Sequence, residues 1–186
     1  STISTLDNVG PDWWCGYSYS WLGNLAARAR NGEKAAGALR TFAECFCLPN
    51  SFHANGDQTK SGKSKMTYRP FTLEGNFAFA AGIQEMLLQS HTGIVRLFPA
   101  VPAVWKDVAF DSLRAYGAFL VSASKKDGKV IEVRVRSERG GRFRLENPFP
   151  GGAYKASGLT DGALHDDGTV LVADFGPGES LLVRSK

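Results

Sequence analysis

The hydrophobic period of this chain changes near residue 94, and that change constrains the fold more than any other feature. Before it, apolar residues recur three and four positions apart, which is typical of amphipathic helices. After it they alternate, which is typical of strands with one buried face. We therefore predict an α+β chain in which helices and strands are segregated, with a helical segment over residues 1–93 and a small antiparallel β-sandwich over residues 94–186.

Three helices are predicted in the first segment. Trp21, Leu22, Leu25 and Ala26 form the apolar stripe of a helix over residues 17–30, and Asn31-Gly32 supplies its stop. The remaining helices are predicted over 33–46 and 76–90. The intervening residues 50–69 show no regular pattern and are predicted to form a loop, in which the Lys/Ser/Gly stretch 60–65 is expected to be mobile. Loops of this length in compact domains are usually functional or disordered.

The second segment is predicted to consist of short antiparallel strands. Residues 130–137 alternate between apolar and charged side chains, and residues 117–124 are their expected partner across the turn 125–128. Gly-, Pro- and Asp-rich turns separate the later strands, as in β-sandwiches. Those later strands are predicted over 142–145, 153–156, 169–173 and 180–183.

The composition excludes several classes of protein. Of the 186 residues, 43% are hydrophobic, and 22 Lys and Arg stand against 18 Asp and Glu, for a net charge of +4. A disordered chain would be less hydrophobic and more highly charged, and no apolar run reaches the roughly 18 residues of a membrane span. The basic stretch 125–144 could bind a polyanion, but its alternation places the charges on the wet face of strands. We therefore predict neither a nucleic-acid partner nor a membrane partner.

The cysteine and histidine positions suggest no metal site. Cys15, Cys45 and Cys47 are odd in number, and the last two are too close in one helix for a disulfide of normal geometry. We predict buried free thiols. The three histidines lack the spacing of a zinc site. No metal and no cofactor is predicted.

Three polar clusters are candidates for contact with a sugar, because pyranose rings need an aromatic face and hydrogen-bonding groups together. Tyr17 lies in an aromatic segment, His53 and Asp57 lie in a polar loop, and Glu74 and Asn76 lie at the start of the third helix. Each has a structural alternative: aromatic packing, a solvated turn, or helix capping by a carboxylate in the first turn. From residue types alone, the clusters indicate a polar pocket at helix ends and no particular reaction.

One long stretch resembles a known family. Residues 69–91 contain the motif Glu-Gly-Asn-Phe at Glu74–Phe77 and a helix that ends in Glu-Met-Leu-Leu-Gln-Ser, and a Leu-Phe-Pro-Ala-Val-Pro segment follows at 97–102. Together with the segments 16–21 and 31–35, they resemble the C-terminal part of glycoside hydrolase family 95, the α-L-fucosidase type. The resemblance implies the last helices of an (α/α)6 catalytic barrel followed by a β-domain.

The resemblance also implies an activity. Members of this family are inverting exo-glycosidases that remove terminal α-L-fucosyl or α-L-galactosyl groups, using an acid Glu and an Asn made basic by a partner Asp. That Asp maps to Glu74, so the resemblance assigns Glu74 a catalytic role, and Asn76, His53, Asp57 and Tyr17 become candidate substrate-binding residues. Here Glu stands where the family has Asp, and Ala78 stands where Gly is usual.

The resemblance further predicts the partners of the chain. The acid Glu and the catalytic Asn of the family precede the matching region, so the expected partners are the remaining N-terminal part of the same enzyme and a fucosylated oligosaccharide. The segment alone is expected to be inactive, and the intact enzyme is expected to be secreted or periplasmic. The alternative is a non-catalytic carbohydrate-binding or structural remnant of such an enzyme, which the substitution at Glu74 favours.

Overall fold

The computed structural model describes residues 1–149, 151, 153–160 and 162–186. The chain divides into two compact units. The helical unit comprises Ser1–Met86 with Pro99–Pro102, and the β unit comprises Leu87–Phe98 with Ala103–Lys186. The segregated α+β fold class is therefore confirmed, whereas the family domain boundaries 1–93 and 94–186 stay a prediction.

Four helices lie in the described part of the helical unit: α1 (Thr2–Val9), α2 (Gly16–Arg28), α3 (Gly32–Cys45) and α4 (Glu74–Leu87). The predicted helices 17–30 and 33–46 are confirmed within two residues at either end. Helix α3 begins where Asn31 Oδ1 accepts a hydrogen bond from the Lys34 amide at 3.0 Å, as expected of an Asn N-cap. The sequence analysis did not predict α1, an eight-residue helix that buries no side chain.

The three longer helices pack around a small aromatic core. Phe42 of α3 and Phe46, which caps the C-terminus of α3, are fully buried. Phe42 stacks on Phe79 of α4 with ring centroids 5.4 Å apart. Helices α2 and α4 are joined by polar contacts as well. The Asn24 amide donates to the Ala78 carbonyl at 2.7 Å, and the guanidinium of Arg28 pairs with Glu85.

Residues 50–69, all of which the structure describes, form no helix or strand, as predicted. Isolated bridges pair Cys47 with His53 and Ala54 with Phe71. These bridges fold the loop back along the residues that precede α4, so the loop and the start of α4 lie side by side.

The β unit contains ten described strands in three antiparallel sheets. A five-stranded sheet has the order β3-β4-β5-β10-β7, a three-stranded sheet the order β6-β9-β8, and β1 pairs with β2. The strands are β1 (Leu88–Gln89), β2 (Arg96–Leu97), β3 (Val108–Ala115), β4 (Phe119–Lys126), β5 (Lys129–Ser137), β6 (Gly141–Glu146), β7 (Tyr154–Ser157), β8 (Leu164–Asp166), β9 (Val170–Phe175) and β10 (Ser180–Ser185).

The predicted hairpin is confirmed as β4 and β5, joined by a two-residue turn. Asp127 and Gly128 both have positive φ, at 48° and 81°, which is the turn that matches strand twist. The later predicted strands correspond to β6, β7, β9 and β10. The sequence did not predict β3, because a bulge between Phe110 and Leu113 breaks its alternation.

One apolar core joins the two larger sheets into a sandwich. Phe119 of the five-stranded sheet lies 5.0 Å from Phe143 and 5.5 Å from Phe175 of the three-stranded sheet, measured between ring centroids. Val121, Val133 and other buried residues complete this core. Among the described residues, no helix is long and apolar enough to cross a membrane.

Candidate functional site

The imidazole of His53 lies between the first turns of α2 and α4. A Cβ added to Gly16 would lie 2.6 Å from His53 Cδ2, and a Cβ added to Gly75 would lie 2.7 Å from His53 Cγ. Only glycine fits at either position without moving the ring. The two helix N-termini therefore meet across one imidazole, and this junction brings the predicted residues Tyr17 and Glu74, which adjoin the two glycines, to the same end of the helical unit.

His53 is fully buried, and its hydrogen bonds define its tautomer. Nδ1 lies 2.7 Å from the Thr72 carbonyl oxygen and 2.8 Å from the Thr72 hydroxyl oxygen. The carbonyl only accepts and the hydroxyl donates to Asn55 Oδ1, so both contacts require the proton on Nδ1. Nε2 is then a bare acceptor, and no hydrogen-bond partner for it exists among the described residues. Burial lowers the pKa of His53 below its usual 6.5, although the Thr72 hydrogen bond and the Glu74 carboxylate oppose that shift. His53 is therefore neutral at physiological pH.

Two asparagines tie the loop to the helix starts. Asn76 Oδ1 accepts from the His53 amide at 2.9 Å, and its Nδ2 donates to the Ser51 carbonyl at 2.9 Å. The Asn55 carbonyl accepts from the amide of Gly16 at 3.0 Å, and its Oδ1 accepts from the Thr72 hydroxyl at 3.0 Å. The side chain of Asn76, a predicted substrate ligand, thus has both of its polar atoms engaged within the protein.

Glu74 is the first residue of α4, and its side chain is exposed. Among the residues that the structure describes, none donates a hydrogen bond to its carboxylate and none forms an ion pair with it. Glu74 therefore presents an exposed carboxylate at the helix junction, without a partner among the described residues.

Exposed aromatic rings lie in the same part of the chain. Tyr17 is 39% exposed in the first turn of α2. Phe52 and Phe71 are each 49% exposed and stack on one another with ring centroids 5.0 Å apart. Phe71 precedes Glu74 by three residues, and Phe52 precedes His53. A stacked aromatic pair that stays half exposed offers the apolar face that a sugar ring requires.

Asp57 organises the loop instead of facing the helix junction. Its carboxylate is 1% exposed and accepts four hydrogen bonds, two from Thr59, one from the Ser61 hydroxyl and one from the Lys63 amide. Burial by itself would raise the pKa of Asp57, but these bonds outweigh it and lower the pKa. The hydroxyl of buried Tyr19 donates to the Lys63 carbonyl at 2.7 Å, and burial followed by the nearby Cys45 and Asp57 raises its pKa to about 12.

The cysteines and the basic face add no site. All three cysteines are free, and only Cys45 is buried, so the predicted burial of the other two is wrong. Within the described ranges no group of three or more His, Cys, Asp or Glu could hold a metal ion. On the five-stranded sheet, Glu132 forms ion pairs with both Arg134 and Arg184, as expected of a solvated face.

Two family models match the chain in succession. The glycosyl hydrolase family 95 catalytic domain matches residues 3–87, and the glycoside hydrolase family 95 C-terminal domain matches residues 89–168. The chain belongs to glycoside hydrolase family 95. The resemblance carried by residues 69–102 is thereby confirmed. All five predicted site residues lie within the catalytic-domain match, which ends at the last residue of α4.

A curated relative supports the same family. Alpha-L-fucosidase 2 of Arabidopsis thaliana is 32% identical over 141 residues, which are 75% of this chain and 16% of that protein. The family 95 chain thus spans about a sixth of the length of this relative.

Two solved glycoside hydrolases resemble the chain more weakly. A family 39 enzyme from Bacteroides cellulosilyticus WH2 is 13% identical with a TM-score of 0.33, over 73% of this chain and 25% of that one. A family 127 beta-L-arabinofuranosidase from Geobacillus stearothermophilus T6 is 12% identical with a TM-score of 0.33, over 84% and 28%. Likenesses of this size carry no argument about fold or function.

The structure thus brings four of the five predicted residues to one end of the helical unit and places the fifth, Asp57, in a separate hydrogen-bond cluster. His53 is enclosed. The predicted contacts of His53, Asn76 and Asp57 with a sugar stay predictions. The sequence reasoning missed Gly16 and Gly75. The signal was present in principle, since each is a glycine in the first turn of a helix, where helix propensity does not favour it.

Proposed function

We propose that this chain forms part of the active site of a family 95 glycosidase, in which Glu74 is a catalytic carboxylate. One observation carries the proposal: within the catalytic-domain match, the Glu-Gly-Asn-Phe motif starts a helix and presents an exposed carboxylate without a partner in the described structure. A carboxylate with no structural partner, held at a helix start by buried hydrogen bonds, is available for chemistry.

The proposed reaction is hydrolysis of a terminal α-L-fucosyl or α-L-galactosyl linkage with inversion. In inverting hydrolysis an acid protonates the leaving oxygen while a base on the opposite face of the sugar activates water. We assign Glu74 to the base side, where its carboxylate would hold the amide of an Asn from the upstream part of the enzyme and stabilise the charge that develops as this Asn takes the proton of water. The general acid belongs to the upstream part as well, so both catalytic partners of Glu74 come from outside this chain.

The substrate-binding part of the proposal rests on the exposed rings. The stacked pair Phe52 and Phe71 would pack against the apolar face of a sugar, and Tyr17 would border the same space. Stacking of this kind contributes about 0.5–1.5 kcal/mol per aromatic contact. We propose a fucosylated oligosaccharide as the substrate. We also propose a secreted or periplasmic site of action, for which the family resemblance is the sole support.

The proposal is tested by assaying the chain with and without the upstream residues on an oligosaccharide whose terminal L-fucose is 2-linked. We expect the intact enzyme to release L-fucose whose first-formed anomer in the NMR spectrum is inverted, and we expect no turnover by the 186-residue chain. Retention of the anomeric configuration would refute the mechanism. Turnover by the 186-residue chain would refute the need for an upstream acid.

A second candidate is a carbohydrate-binding remnant without catalysis. It is favoured by Glu74, whose side chain is one methylene longer than the Asp of the family, so that the carboxylate is displaced relative to its partner. The two candidates differ in one measurement. A remnant binds the fucosylated oligosaccharide in calorimetry but leaves it uncleaved, whereas the enzyme releases L-fucose.

A further inference from the structure

We propose that His53 is a positioning residue for Glu74, and that it acts as a hydrogen-bond donor enclosed between two glycines. This inference rests on the proposed function, because it concerns the carboxylate that the function assigns to catalysis. His53 itself has no exposed surface, so we expect its effect on the reaction to pass through the residues that it contacts.

The position of the ring is fixed from both sides. Gly16 covers one edge so closely that an added Cβ would lie 2.6 Å from Cδ2, and Gly75 covers the other edge at 2.7 Å from Cγ. Phe42 packs beside the ring with centroids 5.1 Å apart. The main chain of His53 is held too, since its amide donates to Asn76 Oδ1 at 2.9 Å. The imidazole of His53 therefore has one position, and its Nδ1–H group points in one direction.

That donor points at the residues that precede α4. The proton on Nδ1 is directed to Thr72, whose carbonyl oxygen lies at 2.7 Å and whose hydroxyl oxygen lies at 2.8 Å. The Thr72 amide returns a bond to the His53 carbonyl at 3.4 Å. The next residue, Leu73, supplies the carbonyl that accepts from the amides of Asn76 and Phe77, which are the first bonds of α4. His53 thus fixes the turn from which Glu74 projects, two residues beyond Thr72.

The unpartnered Nε2 favours the neutral form of the His53 ring. Its lone pair faces Gly16 at the N-terminus of α2, where the helix dipole favours a lone pair and opposes a second proton. A protonated ring would place an N–H donor against a backbone that offers no acceptor. Structural stability alone would be served by an apolar side chain of the same shape, because a buried acceptor without a partner is costly. The retained Nδ1 donor therefore points to a role in holding the turn of Glu74.

The test compares H53N with H53Q in the intact enzyme. The amide nitrogen of Asn lies at the same distance from Cα as Nδ1, whereas that of Gln lies one bond further out. We expect H53Q to lower kcat about 10- to 100-fold with KM changed less than twofold, because a displaced catalytic group loses rate on this scale. We expect H53N to restore most of kcat. Equal kcat losses in H53N and H53Q would overturn the proposal.

A double-mutant cycle shows whether His53 acts through Glu74. In the E74Q background we expect H53Q to have no further effect on kcat, since the group that it positions is gone. An H53Q loss of the same size in both backgrounds would overturn the proposal. If E74Q alone leaves kcat unchanged, the proposed function fails. That result differs from the one that would overturn the role of His53, which is an equal effect of H53Q with and without E74Q. The variant V133A, in the core of the β unit, controls for lost stability and should keep the wild-type kcat.

A measurement on the unsubstituted enzyme covers variants that do not fold. Selective ¹⁵N labelling of histidine reports which ring nitrogen is protonated. We expect His53 to show a protonated Nδ1 and a bare Nε2 at pH 7, with any titration below pH 6.5. A spectrum with Nε2 protonated at pH 7, or with titration at or above pH 6.5, would overturn the proposal.

Discussion

The substitution G75A tests the close packing of Gly16 and Gly75 against His53 through its effect on the free energy of unfolding. A Cβ at residue 75 would lie 2.7 Å from His53 Cγ and 2.8 Å from Cε1, whereas ordinary contacts start at 3.4 Å. The ring has no room to retreat, because Gly16 closes its opposite edge and its Nδ1 is bonded to Thr72. Overpacking of this kind costs about 1–3 kcal/mol.

Helix propensity acts in the opposite direction. Ala is more favourable than Gly within a helix by about 0.5–1 kcal/mol. Without the steric clash, G75A would therefore stabilise the chain. With it, the two ranges leave a net loss of up to about 2.5 kcal/mol in the free energy of unfolding. The matched control is G37A in α3, where an added Cβ would meet nothing within 4 Å, so propensity acts alone and the substitution stabilises the chain.

The assay is urea unfolding followed by tryptophan fluorescence. Trp13, Trp14 and Trp21 lie in the helical unit, so most of the signal reports on the part that contains His53. Opposite shifts of the urea midpoint, downward for G75A and upward for G37A, would support the reasoning. Stabilisation by both substitutions would refute it, because it would show that the His53 ring moves freely.

Three further predictions follow from the same contacts. Because burial lowers the pKa of His53, the unfolded chain takes up a proton at this residue at a higher pH than the folded chain does. The free energy of unfolding should therefore fall as the pH drops below 6.5, by at most about 1.4 kcal/mol per pH unit. The variant H53N should lose this slope between pH 7 and 5.5, whereas H91N should keep it. The variant D57N should lower the free energy of unfolding by about 2–3 kcal/mol, because an amide group would face the hydroxyl and amide donors around Asp57; a urea midpoint equal to the wild type would contradict it. In the intact enzyme, F71A should raise KM about three- to tenfold with kcat unchanged, from the lost stacking, and Y116A in the β unit should leave KM unaltered.

Most of the fold follows from local signals in the sequence. The bounds of α2 and α3 were predictable because Asn31 and Gly32 combine a helix stop with an N-cap. The end of α4 was placed three residues too late, because Leu88 and Gln89 continue a helical pattern but pair with β2 through backbone bonds that the pattern does not record. Strand β3 was missed because its bulge sets two consecutive residues out of alternation.

The candidate site was predictable in its residue types but not in its contacts. The polar residues of the loop could be named, yet only the fold shows that His53 is enclosed by Gly16 and Gly75, which lie far apart in sequence. The Lys/Ser/Gly composition of residues 60–65 predicts mobility, and that stays a prediction. In the structure, Asp57, Tyr19 and Asp12 hold this stretch through buried and backbone hydrogen bonds. The composition of residues 60–65 gives no information on the residues elsewhere in the chain that form hydrogen bonds with them.

The most direct test of the account is the rate of the E74Q variant in the intact enzyme. Gln keeps the size of Glu74 and removes the charge that the proposed mechanism needs on the base side. We expect kcat for release of L-fucose to fall by about 100- to 10,000-fold, the range of acid–base contributions. The control E44Q changes another exposed carboxylate of the helical unit and should leave the rate unaltered. A wild-type kcat for E74Q would contradict the catalytic role of Glu74 and with it the account of this site.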